Sequence, residues 1–164
     1  MRSAFGEAAP ATSPQTPSPS AAPAAREIPY DYVARFALTG RNGNRVQDVL
    51  NISVEGRFVA ASIGYSFIPA ADRSRPRNER VIDFKYSIVD SASGRELQNR
   101  PIHNIAGLGD ATGERPFRAL AKPMVFMPRS TIRFEIEEIS EGTQYENAEL
   151  YIVLHGYKIL GAES

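Results

Sequence analysis

The residues of this 164-residue chain whose types suit chemistry fall in four places. They are the histidines His103 and His155, the acidic run Glu135, Glu137, Glu138 and Glu141, the glycine-rich stretch 107–113, and the arginines Arg73, Arg75, Arg77 and Arg80. A metal site needs several convergent donors. Neither histidine has a second His at ligand spacing, and the chain has no Cys. His155 shares one face of a strand-like run with Tyr151, Val153, Tyr157 and Ile159, where a histidine hydrogen-bonded within a sheet is the better account. No Ser/His/Asp set assembles into a triad, and no GxSxG elbow occurs. No catalytic, cofactor-binding or metal-ligating residue is assigned, no cofactor is expected, and the chain reads as a non-enzyme.

Glycosidase-type catalysis uses two carboxylates facing each other across a cleft, one with a raised pKa. Glu135 and Glu137 instead alternate with Phe134 and Ile136, which is the pattern of a solvated face on a half-buried strand. The stretch GLGDATG has glycines, but a dinucleotide fingerprint also needs a strand before it, a helix after it and a surrounding βαβ unit. Those contexts are missing, so the glycines read as loop conformers. The Asn51-Ile52-Ser53 triplet falls mid-strand with no secretory signal ahead of it and reads as chance.

Of the 19 basic residues, 16 are Arg. The planar guanidinium pairs bidentately with carboxylates and stacks on aromatics, which suits interfaces. Arg73, Arg75, Arg77 and Arg80 cluster in one polar loop, opposite in sign to the Glu135–Glu141 run, so the two features are candidates to pair between copies. Nucleic-acid binding at this loop would call for interleaved aromatics, and none lies between Arg73 and Arg80. With 19 acidic residues against 19 basic and a pI near 6.8, the chain lacks the basic excess of a nucleic-acid or membrane-surface binder. No stretch approaches the roughly 20 apolar residues of a spanning helix.

The elements that would carry these residues divide into an arm and a body. Six of the 12 prolines, among them Pro14, Pro17, Pro19 and Pro23, lie in residues 1–29, and Phe5 is the sole aromatic there. Such a segment is too poor in apolar side chains to offset its chain entropy, which predicts a disordered or polyproline-like extended arm when isolated. Residues 30–164 read as one β-sandwich domain. Tyr30, Tyr32, Ala34, Phe36 and Leu38 alternate along a first strand, and Val46–Val54 forms a second. Val59, Ala61, Ile63, Tyr65 and Phe67 alternate along a third, and Ile82, Phe84, Tyr86 and Ile88 along a fourth. Shorter runs follow near Glu96–Asn99 and Lys122–Met127, with a long loop over 101–118 between them. Strands at Thr131–Ile139, with Ile132, Phe134 and Ile136 inward, and at Glu149–Leu160 complete the set. No capped amphipathic helix is legible. The expected fold is all-β, a two-sheet β-sandwich of jelly-roll type with an extended N-terminal arm.

Three phrases, GRNGNRVQDVLNISVEGRFVAASIGYSFIP at 40–69, NRPIHNIAGLGDATGERPFRALAKPMVFMPRSTIRFEIEEIS at 99–140 and LYIVLHGYKILG at 150–161, resemble small virion structural proteins of tailed bacteriophages. The resemblance covers most of the body and not the arm. It implies a head-associated or decoration-type protein in many copies, located in the virion and assembled in the bacterial host cytoplasm. Its implied partners are major capsid or other virion structural proteins and copies of itself, with no membrane. Neck, tail or baseplate placement, or a receptor- or carbohydrate-binding sandwich, are the alternatives. The expected anchors are exposed body aromatics, the loop arginines Arg73, Arg75, Arg77 and Arg80, and the arm prolines Pro14, Pro17, Pro19 and Pro23.

Overall fold

A computed structural model describes residues 25–70, 81–109 and 116–161. The regular structure of the described residues is almost all strand: β1 (Arg26–Ala37), β2 (Arg45–Asn51), β3 (Gly56–Ile68), β4 (Phe84–Asp90), β5 (Arg95–Glu96), β6 (Ile102–His103), β7 (Phe117–Phe126), β8 (Thr131–Glu138) and β9 (Glu149–Leu160). A single-turn helix, α1 (Asn104–Gly107), follows β6, and a 3-10 turn spans Thr143–Tyr145. The long loop expected over 101–118 thus contains β6, α1 and the start of β7.

The strands form two antiparallel sheets, ordered β1-β9-β3-β7 and β2-β8-β4-β5, with β6 also pairing with β4. The order is that of one long hairpin rolled up on itself. Its two arms pair β1 with β9, β2 with β8, β3 with β7 and β4 with β5. Rolling then lays β9 also against β3 and β8 also against β4. This is the jelly roll, in which two sheets bury their inner faces against each other.

Period-2 alternation selects that inner face. Tyr32, Ala34, Phe36 and Leu38 from the first sheet meet Phe84, Tyr86 and Ile88 and Ile132, Phe134 and Ile136 from the second, all buried. Four phenylalanines (Phe36, Phe58, Phe84 and Phe134) are among the largest fully buried side chains. Truncating any one to Ala would cost about 3–5 kcal/mol by lost transfer energy and cavity formation.

One strand departs from the alternation expected of it. Pairing of β3 with both neighbours shifts register between Ala60 and Ser62, so Ala61 is an extra, bulged residue. Ile63, Tyr65 and Phe67 point inward as expected, but on the other side of the bulge the inward pair is Phe58 and Ala60. Val59 and Ala61 therefore lie on the outer face. Opposite the bulge, Gly156 leaves the space that the approaching chain needs, since a Cβ there would lie 1.9 Å from the Val59 carbonyl oxygen.

Candidate interaction surface

Each sheet also has an outward face, and the two are chemically unlike. On β2-β8-β4 the outward residues are mostly polar: Arg45, Gln47 and Asn51, then Thr131, Arg133, Glu135 and Glu137, then Lys85 and Ser87, with Val49 (46% exposed) and Val89 on either side of Arg133 as apolar exceptions. Register places Arg45 and Lys85 on either side of Glu137, and both reach it, at 2.8 Å (Nη2–Oε2) and 3.2 Å (Nζ–Oε1). The Lys85 hydrogen bond, helped by Arg45, holds the Glu137 carboxyl below its ordinary value against a counteracting push from burial. Glu137 is thus already paired within its own chain, and Arg45 also lies 3.9 Å from Glu135. This leaves less of the acidic run free for an arginine loop of another copy than its sequence suggests.

The outward face of β1-β9-β3-β7 is mostly apolar and aromatic. Strand β9 presents Tyr151, Val153, His155, Tyr157 and Ile159, and β1 presents Pro29 and Val33 among the charged Glu27, Asp31 and Arg35. Strand β7 presents Phe117 and Val125, which are 43% and 53% exposed. Between β9 and β7, β3 supplies only small outward residues over Ala61, Ser62 and Gly64. The result is a shallow trough along β3. A Cβ at Gly64 would meet the Phe117 ring at 2.9 Å, so the absence of a side chain there lets that ring lean inward. The Phe117 ring centroid comes to 5.3 Å from that of His155. Next to it, a groove of about 450 Å³ is bordered by Pro29, Ala61, His155 and Tyr157. Val59 is only 5% exposed although it stands outside the inter-sheet core, because its outward neighbours cover it.

Two sets of charges on this face are paired, while Glu27 and Arg57, on either side of Ile159, stand exposed at its end. His155 Nδ1 lies 2.6 Å from Asp31 Oδ1, directly across the β1–β9 ladder. Arg35 and the Tyr151 hydroxyl both donate to Glu149. The hydrogen bond to that anion raises the Tyr151 pKa above the ordinary phenol value and likewise raises Arg35. His155 is therefore hydrogen-bonded within its sheet, as read from the sequence. His103 lies in the other sheet, with Nε2 3.6 Å from Asp83 Oδ1. Among the described residues, no group of three His, Cys, Asp or Glu side chains could hold a metal ion.

A second concavity, of about 550 Å³, opens between the sheets beneath β7. Its walls include Ile63, Tyr86, Ile88, Ile102, Leu120 and Met124. Arg118 at its rim donates to the Ala106 carbonyl, and burial raises the Tyr86 phenol pKa. Among the described residues, no carboxylate lines it.

Two buried ionic groups escape the sequence reading. Glu138 continues the inward series Ile132, Phe134, Ile136 and is 2% exposed. Its carboxylate accepts hydrogen bonds from Thr39 N (3.0 Å), Thr39 Oγ1 (3.1 Å), Gly40 N (2.9 Å) and Asn44 Nδ2 (2.7 Å), which pins the β1–β2 connection. Lys158 is 4% exposed, with its Nζ 3.7 Å from the Tyr30 ring centroid and 3.7 Å from Glu55 Oε2. The candidate interface residues Arg73, Arg75, Arg77, Arg80, Pro14, Pro17, Pro19 and Pro23 all lie outside the described residues. The apolar outward face was not singled out in the sequence, although LYIVL at 150–154 carries its signal by being apolar at successive rather than alternate positions.

No protein-family model matches the chain, and no curated protein matches it. Among solved structures, it is similar to a chain in the crystal structure of the infectious bursal disease virus VP2 subviral particle. There the identity is 15% and the TM-score 0.34, covering 80% of this chain and 33% of that one. It is also similar to a chain of Desmodium yellow mottle tymovirus, at 11% identity and a TM-score of 0.27, covering 97% of this chain and 94% of that one. The present chain spans about a third of the length of the first of these. Superpositions at those TM-scores carry no weight for function, and the jelly roll stands on the strand order itself.

Proposed function

We propose that this chain is a non-enzymatic structural protein of a bacteriophage virion, binding and stabilising the capsid shell as a decoration or minor capsid protein. The observation that carries the reading is the inequality of the two outward faces. A free-standing sandwich solvates both, whereas here one sheet has a ladder of charges outside and the other has Val33, Val153, Tyr157, Phe117 and Val125. Exposed apolar patches of this kind mark protein–protein contacts, and aromatic side chains are the residues that anchor them. The phrases at 40–69, 99–140 and 150–161 that resemble tailed-phage virion proteins supply the kind of assembly. Many weak contacts per particle make such a protein effective through multivalency rather than single-site affinity.

The test uses banded virions from lysates with the gene intact or disrupted. The expected result is the protein in many copies per particle, with particles lacking it losing their contents at lower temperature. A few copies at one vertex would move it to the neck, tail or baseplate. Complete absence from purified particles would refute a virion role.

A further inference from the structure

The apolar trough over β3 has a matching occupant in the chain itself. Residues 8–25, AAPATSPQTPSPSAAPAA, contain no charged side chain, five prolines and seven alanines. We infer that this stretch, from a neighbouring copy, lies along the outward face of β1-β9-β3-β7 and fills the trough between Tyr157 and His155 on one side and Phe117 and Val125 on the other. The inference rests on the assembly reading above and names the partner of its apolar face.

Three observations carry it. The first is chemistry: Pro-rich segments dock on aromatic-lined grooves with little ordering cost, because the extended polyproline conformation is already populated when free. This face offers Tyr157, His155 and Phe117 along a floor of small residues, with Asp31 held by His155 and Glu149 by Arg35. The second is place and reach. The arm leaves from Arg26, at the end of β1 beside the groove bordered by Pro29, Ala61, His155 and Tyr157. Eighteen extended residues reach about 55 Å at roughly 3.1 Å per residue, more than the roughly 40 Å of a 12-residue strand. The third is direction. Residues 7–30 contain no Gly, Asn or Asp to supply the positive φ of the tightest turns, and each of their six prolines biases the residue before it toward extended backbone. Folding back over β9 to its own β3 needs a sharp reversal, whereas continuing outward brings the arm to another copy.

The experiment places a photo-crosslinker in the full-length protein as Ser18→p-benzoylphenylalanine, with isotopically light and heavy chains mixed before assembly. Crosslinks are mapped by mass spectrometry in the free protein and in particles. The expected result is heavy–light pairs joining position 18 to the Tyr157, Phe117 and Val125 region. Phe117→Asp and Val125→Asp, each checked for unchanged thermal unfolding, should cut the yield about tenfold, the loss typical of removing an interface anchor. Val49→Asp, on the outward face of the other sheet, should leave it unchanged. Crosslinks within one chain, to the β2-β8-β4 face, or nowhere in either sample overturn the inference. Particle content is measured separately. Copies present in particles with crosslinks elsewhere defeat this inference and leave the virion reading standing, while trough crosslinks in a protein absent from particles do the reverse.

Discussion

Glu138 offers the sharpest test of how this sandwich is held. Its carboxylate takes the place of an inward apolar residue at the end of β8, with 2% exposure, and accepts from Thr39, Gly40 and Asn44. Hydrogen bonds to a charged acceptor contribute about 1.5–3 kcal/mol each, and a buried donor left unpaired costs about 1–3 kcal/mol. Thr39 is exposed, so water can replace part of what it loses; the Gly40 N–H is buried and cannot be rescued as readily. Glu138→Ala is therefore expected to cost about 3–5 kcal/mol, not the sum of all four bonds. For a body of this size that is a fall of roughly 10–15 °C in Tm. Glu138→Gln keeps the volume and one acceptor. It must turn its NH₂ either toward the Thr39 and Asn44 donors or toward the Gly40 N–H, and is expected to cost about 2 kcal/mol. Glu138→Leu should not recover the loss, because the donors of the β1–β2 connection remain. Urea unfolding supplies the free energies, and hydrogen exchange at the Gly40 amide reports the local opening. The control is Glu135→Gln, outward on the same strand and expected within about 0.5 kcal/mol of the parent. If Glu138→Ala and Glu138→Gln both matched that control, the carboxylate would not be the pin described here.

Two further outcomes follow from the same register. Asn104, fully buried, donates to the Ile82 carbonyl (2.8 Å) and the Tyr65 hydroxyl (3.2 Å) and accepts from Phe84 N (3.2 Å). Asn104→Ala is expected to lower the unfolding free energy by about 2–3 kcal/mol, and Asn104→Asp by no less, since its second oxygen would face the Ile82 carbonyl; a neutral Asn104→Asp would contradict the assignment. For Glu137 the folded pKa lies below the ordinary 4.5 because of the Lys85 hydrogen bond. A carboxylate depressed by folding stabilises above its unfolded pKa and loses that contribution as pH falls through the folded one. The stability gap between the parent and Glu137→Gln should thus hold steady above pH 4.5 and close below it, and urea midpoints with a pH-independent gap would refute the pairing.

Where apolar alternation was strong and local, the sequence made the strand legible. β9 runs from Glu149 to Leu160 as expected, and the inward sets of β4 and β8 are those its period-2 pattern assigns. β7 was legible only from Lys122 onward. Its first half reads RALA after Phe117, and its pairing with β3 skips from Ala119 to Met124, so no alternation marks it. The phase change at Ala61 was hidden because a bulge is a relation between strands, here between β3 and both its neighbours. Glu138 was masked for a related reason. Alternation alone places it inward, its charge argues outward, and the donors that reverse that argument are on a connection 94 to 99 positions earlier. The outward apolar face was present in the letters of LYIVL, but only the partner strands show that Val33, Phe117 and Val125 join it.

The sheet edges decide how such a molecule can meet another copy. A free edge is a template for adding a strand, and three of the four edges here, all but β2, are blunted. On β1, Pro29 has no N–H and the Arg35 N–H is already bonded to Asp48 Oδ2 at 2.9 Å. On β7, Pro123 sits in the segment that leaves the pairing with β3. At the far side of the second sheet, β5 is two residues long. The proposed occupant has the same limitation, since the five prolines in residues 8–25 lack the donors for a continuous ladder. Strand addition is therefore disfavoured from both sides of the contact. Packing through side chains on a face requires neither a free edge nor backbone donors, and the face of β1-β9-β3-β7 is where this chain leaves Phe117, Val125 and Val33 exposed.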